Sequence, residues 1–455
     1  MYNRYLLNRH VYACMFMAFI FNACQKITET NLVKSQAQSS ARAADKPNVI
    51  IILEDDIGYE VPTFTGGQSY STPEIDMLAQ SGMQFTHCYA SAMCSPSRVM
   101  MLTGKYGFRN YHEWGVLDST QKTIANLLRE NGYATCVTGK WQLDGHFDKF
   151  GFNEHFVFDP FEEENISDNE ENKHRYKNPT IYQNGAYLPT SATTGKYSDD
   201  MFADYASDFI TRKKDSSFFL YFSFSECHLP FSPPPNNSAF KTYNPLTTLT
   251  NKKYLPYMVS YMDSKISTIM QTLANNGILN NTYIFIMGDN GTTNTITSKY
   301  NGRNVTGGKG TTTEFGLHVP LVLLGPGIQP GSVNRNIVDF SDFLPTIANI
   351  AGISQIASNY GAIDGKSFYN QFLNPAATGR AWSFGYYFPY PKQPKQKRIY
   401  VQDTTYKLYD VTNANRFYNV YSDSLEKKPI GVSNLTSVQK TIQNNFKNVL
   451  ATMHN

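Results

Sequence analysis

Residues 94–98 (CSPSR) place four chemical groups within one short segment: a thiol, a turn-setting proline, a hydroxyl and a permanently charged guanidinium. They open the run CSPSRVMMLTG, which ends at Gly104, and residues 99–103 are predicted to be helical. Because a helix N-terminus stabilises anions and Arg98 adds positive charge, Cys94 is a candidate thiolate nucleophile. Spacing identifies no Cys–His pair with a third orienting group, so the choice of nucleophilic chemistry stays open.

Two pairs of oxygen-bearing side chains follow apolar runs far apart in the chain. Asp55 and Asp56 follow residues 49–53, and Asp289 and Asn290 follow residues 283–287. Carboxylate and amide oxygens suit a hard cation such as calcium, whereas zinc or copper calls for His or Cys. Each pair alone is also typical of an ordinary turn or helix cap. Their joint occurrence favours a cation site.

Further polar residues follow other predicted strands. Lys140 comes after the run 132–137, and His228 comes after the run 218–224. In open α/β sheets, ligands bind beyond the carboxyl ends of the strands, so these side chains are expected to meet there. Lys309 lies in a glycine-rich segment, 307–310, which indicates close approach of backbone to a ligand or a flexible surface loop.

The elements that must position these residues alternate between strands and helices. Short β-prone runs occupy 49–53, 132–137, 218–224, 283–287 and 320–324, and helical patterns occupy 123–130, 198–212, 254–273 and 340–350. This alternation predicts an α/β fold: a large, mostly parallel sheet sandwiched by helices.

The sequence pattern changes after about residue 375. Tyrosine-rich segments at 381–387, 398–410 and 416–421 are predicted to be short strands, and 433–453 a terminal helix. We therefore predict a catalytic α/β domain over 47–372 and a smaller C-terminal α+β subdomain with a short antiparallel sheet over 373–455.

The N-terminus is predicted to be a targeting segment. Arg4 and Arg9 precede an apolar stretch, 11–21, that is too short to span a bilayer as a mature helix. A small residue before Cys24 resembles a bacterial lipoprotein signal over 1–23, with lipid on that thiol; an ordinary secretory signal is the alternative. Residues 24–46 are a predicted flexible tether. The protein is thus expected in the periplasm or at the cell surface, anchored to a membrane.

Composition limits the partners and the cysteine chemistry. The 455 residues are 41 % hydrophobic, enough for a sizeable core, and carry a net charge of only +3 without a basic block. Charge therefore gives no case for a nucleic-acid partner. The cysteines beyond the targeting segment show no CxxC spacing, so neither a zinc site nor a disulfide framework is indicated.

At these residues the chain resembles the type I, formylglycine-dependent sulfatases of the alkaline phosphatase superfamily. The run CSPSRVMMLTG matches the family signature Cys-x-Pro-Ser-Arg followed by a leucine-threonine-glycine turn. Further matching segments are EDDIGYE (54–60), TGKWQL (138–143), GDNGT (288–292), GGKGTTTEFGLHVP (307–320) and DFLPTIANIAGI (342–353).

The resemblance implies a modified nucleophile and a calcium ion. A maturation enzyme would oxidise Cys94 to formylglycine (3-oxoalanine), whose hydrated aldehyde attacks sulfur and later expels sulfate. The resemblance assigns calcium, in preference to magnesium, to Asp55, Asp56, Asp289 and Asn290.

The resemblance also assigns roles to four cationic or titratable side chains. Arg98 would steady the formylglycine, and His228 would protonate the leaving alcohol as general acid. Lys140 and Lys309 would neutralise the sulfate oxygens. Fixed cations of this kind stabilise the negative charge that develops during sulfate-ester cleavage.

Two positions depart from the family pattern. Gln142 stands where the family usually has a histidine, and glutamine cannot exchange a proton near neutral pH; nearby His146 is a candidate substitute. His318 stands where the family often has arginine, a difference we interpret as structural. Gln142 and His146, together with His112 and Trp114 on a nearby loop, are candidate substrate-binding residues.

The leading prediction is a sulfatase acting on sulfated carbohydrates. The enzymatic alternative is a phosphodiesterase or phosphonate monoester hydrolase of the same superfamily. A third possibility is a lipoprotein that binds a sulfated glycan without cleaving it, which only Gln142 favours.

Overall fold

The computed structural model describes residues 46–160, 174–248, 250–390 and 394–453. The predicted signal, the lipid-anchor residue Cys24 and all but the last residue of the tether lie outside the described residues. Within these ranges no helix has the length and apolar character needed to cross a bilayer.

Ten strands form one mixed sheet in the order β12-β2-β11-β8-β1-β7-β3-β4-β5-β6. Their bounds are β1 Asn48–Glu54, β2 Met83–Tyr89, β3 Ala134–Gly139, β4 Glu154–Phe158, β5 Ile181–Gln183, β6 Ala186–Tyr187, β7 Phe218–Ser223, β8 Thr282–Gly288, β11 His318–Leu324 and β12 Ser332–Asp339. The hairpin strands β9 Thr297–Tyr300 and β10 Arg303–Thr306 pair outside this sheet.

Five neighbouring strands of the sheet run in parallel. β1 lies between β7 and β8, and β3 joins β7 on one side and β4 on the other, all in parallel register. β11 is antiparallel to both β8 and β2, whereas β2 and β12 are parallel to each other. The carboxyl ends of β1, β3, β7 and β8 therefore share one edge of the sheet.

Helices cover both faces of this sheet. Ten are described: α1 Pro73–Ser81, α2 Cys94–Thr103, α3 Gly107–Asn110, α4 Ile124–Glu130, α5 Thr190–Thr193, α6 Ser198–Lys213, α7 Leu255–Asn275, α8 Glu314–Leu317, α9 Phe343–Ile350 and α10 Ser437–Met453. β1 shows why both faces are buried, because Val49 and Ile51 pack into one hydrophobic cluster while Ile50 and Ile52 pack into another. Such continuous apolar strands are typical of parallel sheets covered on both sides. The α/β prediction is confirmed.

A four-stranded antiparallel sheet follows in the C-terminal part. Its strands, in order, are β13 Ser383–Tyr387, β14 Arg398–Gln402, β15 Tyr406–Tyr409 and β16 Phe417–Asn419. Val401, Leu408 and Phe446 belong to the same hydrophobic cluster as Leu102 and Phe343 of the larger part. The predicted small antiparallel sheet is thus present and packs on the main core, while the boundary at residue 372 stays a prediction.

Candidate active site

The two acidic segments meet because their strands are neighbours. Glu54 lies in register with Gly288, so Asp55 and Asp289 are the first residues beyond paired strand ends. The Asp289 backbone N–H donates to the Glu54 carbonyl at 3.1 Å, and the Asp56 N–H donates to Asp289 Oδ1 at 3.1 Å. Asp56 has φ 59°, a left-handed conformation that aspartate and asparagine tolerate better than most residues.

Oxygen atoms in this cluster have unused bonding capacity. Asp55, Asp56 and Asp289 each offer a carboxylate oxygen within 4.8 Å of the others, and among the described residues they form the only acidic, His or Cys group so arranged. Asp55 Oδ1 and Asn290 Oδ1 are buried without a hydrogen-bond partner. Buried oxygens without donors are costly, and a hard cation would satisfy them. The residues therefore fit such an ion.

Arg98 anchors the start of α2 to three strands. Its guanidinium donates to Asp289 Oδ2 at 2.9 and 3.1 Å, to Ser223 Oγ at 2.6 Å and to the Lys140 carbonyl at 2.8 Å. The side chain is 0 % exposed. This planar group, with its donors satisfied by several partners, fixes the helix that carries Cys94 against the acidic cluster.

Replacing Arg98 by methionine is expected to lower the free energy of unfolding by about 3–5 kcal/mol, because Asp289 would remain buried without its partner. Denaturant unfolding measures this. Arg109→Met is the matched control: Arg109 is 35 % exposed and pairs with Asp364, so its loss should cost no more than about 1 kcal/mol. Equal losses in the two variants would contradict a special structural role for Arg98.

Two lysines already face the acidic cluster. Lys140 Nζ lies 2.7 Å from Asp55 Oδ2, and Lys309 Nζ lies 2.5 Å from Asp56 Oδ1. The Lys140 backbone N–H donates to the Ser223 carbonyl at 2.8 Å, which sets the lysine beside β7. A bound cation would therefore compete with these ammonium groups for the carboxylate oxygens, and an anionic ligand would compete with the carboxylates for the ammonium groups.

The two glycines before Lys309 pack closely against other backbone segments. A Cβ on Gly307 would lie 2.3 Å from the Thr292 carbonyl oxygen, and one on Gly308 would lie 2.4 Å from the Phe315 carbonyl carbon. Gly307 and Gly308 are therefore required because backbone packs on backbone, and both are buried, so the expectation of a flexible surface loop was wrong for these two residues. Close approach to a ligand stays a prediction.

The lysines and arginine shift the acidity of the cluster. Burial alone would raise the pKa of Asp55, but the positive charges of Lys140 and Arg98 hold it well below its usual range. For Asp289, burial and the nearby charge of Asp55 raise the pKa. Two carboxylates crowded in one buried site need further positive charge to remain ionised together.

His228 lies beyond the end of β7, and its tautomer follows from its contacts. Nδ1 lies 2.6 Å from the Leu229 carbonyl oxygen, which can only accept, so Nδ1 carries a proton. Burial, with the charges of Lys309 and Lys140, lowers the pKa of His228 well below its usual value. The neutral ring therefore leaves Nε2 as an acceptor until a negative group arrives.

Cys94 is the first residue of α2 and is 1 % exposed. The prediction of a helix beginning only at residue 99 was wrong: the helix starts five residues earlier, because Pro96 is compatible with a first helical turn. Cys94 Sγ lies 3.8 Å from Gln142 Oε1, and Gln142 itself has φ 53°. Gln142 thus occupies the position beside the candidate nucleophile.

The other predicted substrate-binding residues lie on outer loops. His146 Nε2 is 3.6 Å from Asp144 Oδ2, and His112 Nε2 is 3.8 Å from Asp118 Oδ2, with both imidazoles largely exposed. Trp114 is half-buried, its ring 5.3 Å from that of Tyr390.

Sequence reasoning missed several residues that build the site. Ser223 and Tyr221 of β7 both contact Arg98 Nη1, at 2.6 and 3.4 Å. Tyr176 donates to the Ser225 and His228 carbonyls at 2.7 and 2.5 Å and so fixes the turn that carries the imidazole. A polar residue inside an apolar strand, such as Ser223 at the end of FFLYFS, is the sequence signal from which Ser223 and Tyr221 could have been predicted.

A protein-family model described as Sulfatase matches residues 47–353. N-acetylgalactosamine-6-sulfatase of Rattus norvegicus is 28 % identical over 353 residues, covering 69 % of this chain and 64 % of the relative. This chain therefore spans less than two thirds of that relative's length. N-acetylgalactosamine-6-O-sulfatase of Bacteroides thetaiotaomicron is 27 % identical, covering 80 % of this chain and 82 % of the relative.

Solved structures share the fold over most of the chain. The structure of BT4656 in complex with its substrate D-glucosamine-2-N,6-O-disulfate has a TM-score of 0.71 at 21 % identity, covering 89 % of this chain and 97 % of that one. Phosphonate monoester hydrolase of Agrobacterium radiobacter has a TM-score of 0.63 at 17 % identity, covering 90 % and 95 %. At these identities the likeness concerns the fold alone.

Proposed function

The chain belongs to the sulfatase family, and we propose on that basis that it is a sulfuric ester hydrolase acting on sulfated saccharides. One observation supports the proposal most directly. Cys94 begins the helix whose Arg98 contacts Asp289. It therefore lies at the same sheet edge as a buried cluster of three aspartates and two lysines. This combination suits a nucleophile, a hard cation and a tetrahedral anion.

Two groups complete the proposed site. We propose that calcium is held by Asp55, Asp56, Asp289 and Asn290, whose carboxylate and amide oxygens suit that ion better than magnesium, which keeps several waters. When bound, the ion supplies positive charge close to the developing negative charge. We also propose that Cys94 is converted to formylglycine by a maturation enzyme, which supplies a hydrated aldehyde oxygen as nucleophile.

The chain's own residues then bind and orient the ester. Lys140 and Lys309, now paired with Asp55 and Asp56, are the nearest cations for the sulfate oxygens. Arg98 keeps residue 94 in place through Asp289. Electrostatic groups fixed before substrate arrives need no reorganisation during the reaction, which is the source of their catalytic effect.

His228 is proposed as the general acid for the leaving alcohol. In the free site its imidazole is neutral because burial and the two lysines lower its pKa. A bound sulfate ester brings negative charge, which favours protonation of Nε2 while Nδ1 stays hydrogen-bonded to the Leu229 carbonyl. The proton can then pass from Nε2 to the departing oxygen.

His228→Asn is expected to lower kcat on a sulfated saccharide by roughly 10²–10⁴-fold, because a sugar alkoxide leaves poorly without a proton. The same variant should lose far less on 4-nitrophenyl sulfate, whose phenolate needs no protonation. Steady-state kinetics on both substrates tests this. His155→Asn, on β4 and stacked on Phe147, is the control and should leave both rates nearly unchanged. Equal losses on both substrates would rule out the acid role.

The proposed substrate class is tested by release of sulfate. Purified mature protein is offered N-acetylgalactosamine 6-sulfate, other defined sulfated saccharides and 4-nitrophenyl sulfate, with intact mass of the peptide containing residue 94 measured in parallel. Hydrolysis of at least one sulfated saccharide is expected. Converted protein that releases no sulfate from any of them would overturn the proposal; single-turnover kinetics would then reveal a glycan-binding protein without activity.

Phosphoryl hydrolysis is the second candidate, because the fold is shared with a phosphonate monoester hydrolase. The described residues contain one carboxylate cluster able to hold a metal, which favours one cation and a sulfate. Phosphate diesters and phosphonate monoesters are therefore assayed beside the sulfate esters. A higher kcat/KM on the phosphorus esters would favour this candidate.

The remaining proposals concern location. We propose that the protein is exported, loses residues 1–23, and is held at a periplasmic or cell-surface membrane by lipid on Cys24. Labelling with a radioactive fatty acid tests the anchor, and Cys24→Ser should remove the label while leaving the protein exported.

A further inference from the structure

We propose that Trp114 and Tyr390 form an aromatic pair on which the sugar ring bearing the sulfate stacks. The inference rests on the proposed function and deepens it by naming the surface that recognises the saccharide. The two ring centroids are 5.3 Å apart with an interplanar angle of 31°, and both side chains are half-buried. Each ring thus restrains the other while remaining partly accessible to a ligand.

Three contacts place the Trp114 loop beside the segment that touches the nucleophile position. Cys94 Sγ lies 3.8 Å from Gln142 Oε1. The carbonyl oxygen of Gln142 lies 4.0 Å from the position a Cβ would take on Gly115, the residue after Trp114. The backbone N–H of Leu117 also donates to the Leu143 carbonyl at 3.3 Å. The Trp114 loop therefore runs alongside the segment that touches residue 94.

Tyr390 is connected to the same centre through a different segment of the chain. Tyr387 Oη donates to the carbonyl of Gly310, the residue after Lys309, at 3.4 Å. The Gly310 N–H in turn donates to the Ala92 carbonyl at 2.8 Å, two residues before Cys94. Tyr390 thus follows a segment attached to the loop of a proposed sulfate-binding lysine.

A further hydrogen bond joins the two loops that carry the aromatic pair. Tyr111 Oη donates to the Pro389 carbonyl at 3.1 Å, linking the segment before Trp114 to the segment before Tyr390. Because the pair is supported from both loops, little conformational freedom remains to be lost when a ligand packs against it.

The surroundings suit a sugar better than a purely apolar ligand. A pyranose has apolar C–H faces that pack on aromatic rings and hydroxyl edges that need polar partners. The His112–Asp118 pair lies on the Trp114 loop, with 3.8 Å between Nε2 and Oδ2, and the His146–Asp144 pair lies on the segment after Gln142, with 3.6 Å between Nε2 and Oδ2. Their imidazole and carboxylate groups can donate to and accept from hydroxyls.

A merely structural role for the aromatic pair predicts a different result from a recognition role. If the rings only lock the two loops together, their loss loosens the whole site and affects every ligand. If they carry the sugar, their loss weakens saccharide binding and leaves recognition of the sulfate group itself unchanged. Inorganic sulfate, a product of the reaction, reports on the second property alone.

The test uses the variants Trp114→Ala, Trp114→Phe and Tyr390→Ala of the mature protein. For the sulfated saccharide with the highest wild-type activity, Trp114→Ala and Tyr390→Ala should each raise KM roughly 10-fold, the effect of exposing some tens of Å² of apolar contact. Trp114→Phe should recover much of that loss. The inhibition constant of inorganic sulfate should stay within about twofold, since sulfate makes no apolar contact.

Trp382→Ala is the matched control, because Trp382 is likewise half-buried but packs beside Lys366 and Arg380. Its KM should match wild type. An unchanged KM in both alanine variants overturns the inference, as does an equal rise in KM and in the sulfate inhibition constant. If the wild type hydrolyses no sulfate ester, the proposed function fails instead; calorimetric binding of N-acetylgalactosamine 6-sulfate to wild type and Trp114→Ala then decides the inference separately.

Discussion

Replacing Cys94 by alanine is expected to lower kcat on every sulfate ester by at least about 10⁴-fold, the scale on which enzymes lose rate when a nucleophile is deleted. The side chain at this position is 1 % exposed, lies 3.8 Å from Gln142 and begins the helix that Arg98 holds against the aspartates. The methyl group of alanine cannot attack sulfur, so the loss should not depend on the leaving group.

The Cys94→Ala prediction needs two controls. Cys136→Ala removes an equally buried thiol from β3 and should leave kcat nearly unchanged. Calcium affinity of Cys94→Ala should stay within a few-fold of wild type, which separates loss of chemistry from loss of the cation site. Residual activity within tenfold of wild type would show that residue 94 is not the nucleophile.

Asp56→Asn is expected to weaken calcium binding and to lower kcat by roughly 10²–10³-fold, because one fixed electrostatic contribution to the transition state is lost. Asparagine keeps the size of the side chain and tolerates the φ of 59° at this position, so the backbone should not change. The substitution removes a charge that contacts both Lys309 and Asn290. Calorimetry with calcium alone and steady-state kinetics measure the two effects.

Metal removal gives an independent measure of the same site. A chelator should abolish wild-type activity, and calcium should restore it and raise Tm, since a ligand at about 100 times its Kd stabilises the folded state by about 2.7 kcal/mol. Asp56→Asn should show a much smaller calcium-dependent rise in Tm. Asp208→Asn, an exposed carboxylate on α6 paired with Arg212, should behave as wild type. An identical calcium response in Asp56→Asn and wild type would contradict the proposed ligand set.

The sequence predicts the site well where chemistry and local pattern coincide. Apolar runs followed by polar residues mark strand ends, and parallel strands bring such ends to one edge, which is why Asp55 and Asp289 could be expected to meet. The structure places Lys140 in contact with Asp55, and Lys309 and Asn290 in contact with Asp56. Their roles as ligands and as sulfate-binding groups stay predictions that the variants above test.

Other features depend on contacts between distant segments and could not be read from local pattern. β2 and β12 went unpredicted because β2 mixes apolar with polar residues and β12 carries two asparagines and an arginine, so neither is a continuous apolar run. The antiparallel direction of β11 has no signature in its apolar sequence. The contact of Ser223 with Arg98 spans 125 residues and exists only once β7 lies beside β1.

The helix start was missed for a related reason. Residues 94–97 are polar or small and suggest a loop when their propensities alone are considered, yet all of them are buried in the first turn of α2. Ser97 Oγ donates to the Ser91 carbonyl and accepts from its N–H, both at 3.0 Å, which fixes the entry into the helix. Tertiary contacts thus decide the backbone where intrinsic preference is weak.

The burial of residue 94 sets the timing of any chemistry that alters it. With 1 % exposure and all ten residues of α2 buried, the thiol cannot be reached by a second protein after folding is complete. If Cys94 is converted as proposed, the maturation enzyme would have to bind this segment while the chain is still extended, during synthesis or transport. Protein that folds with an intact thiol should remain inactive for its lifetime, and later addition of the maturation enzyme should rescue it only after unfolding.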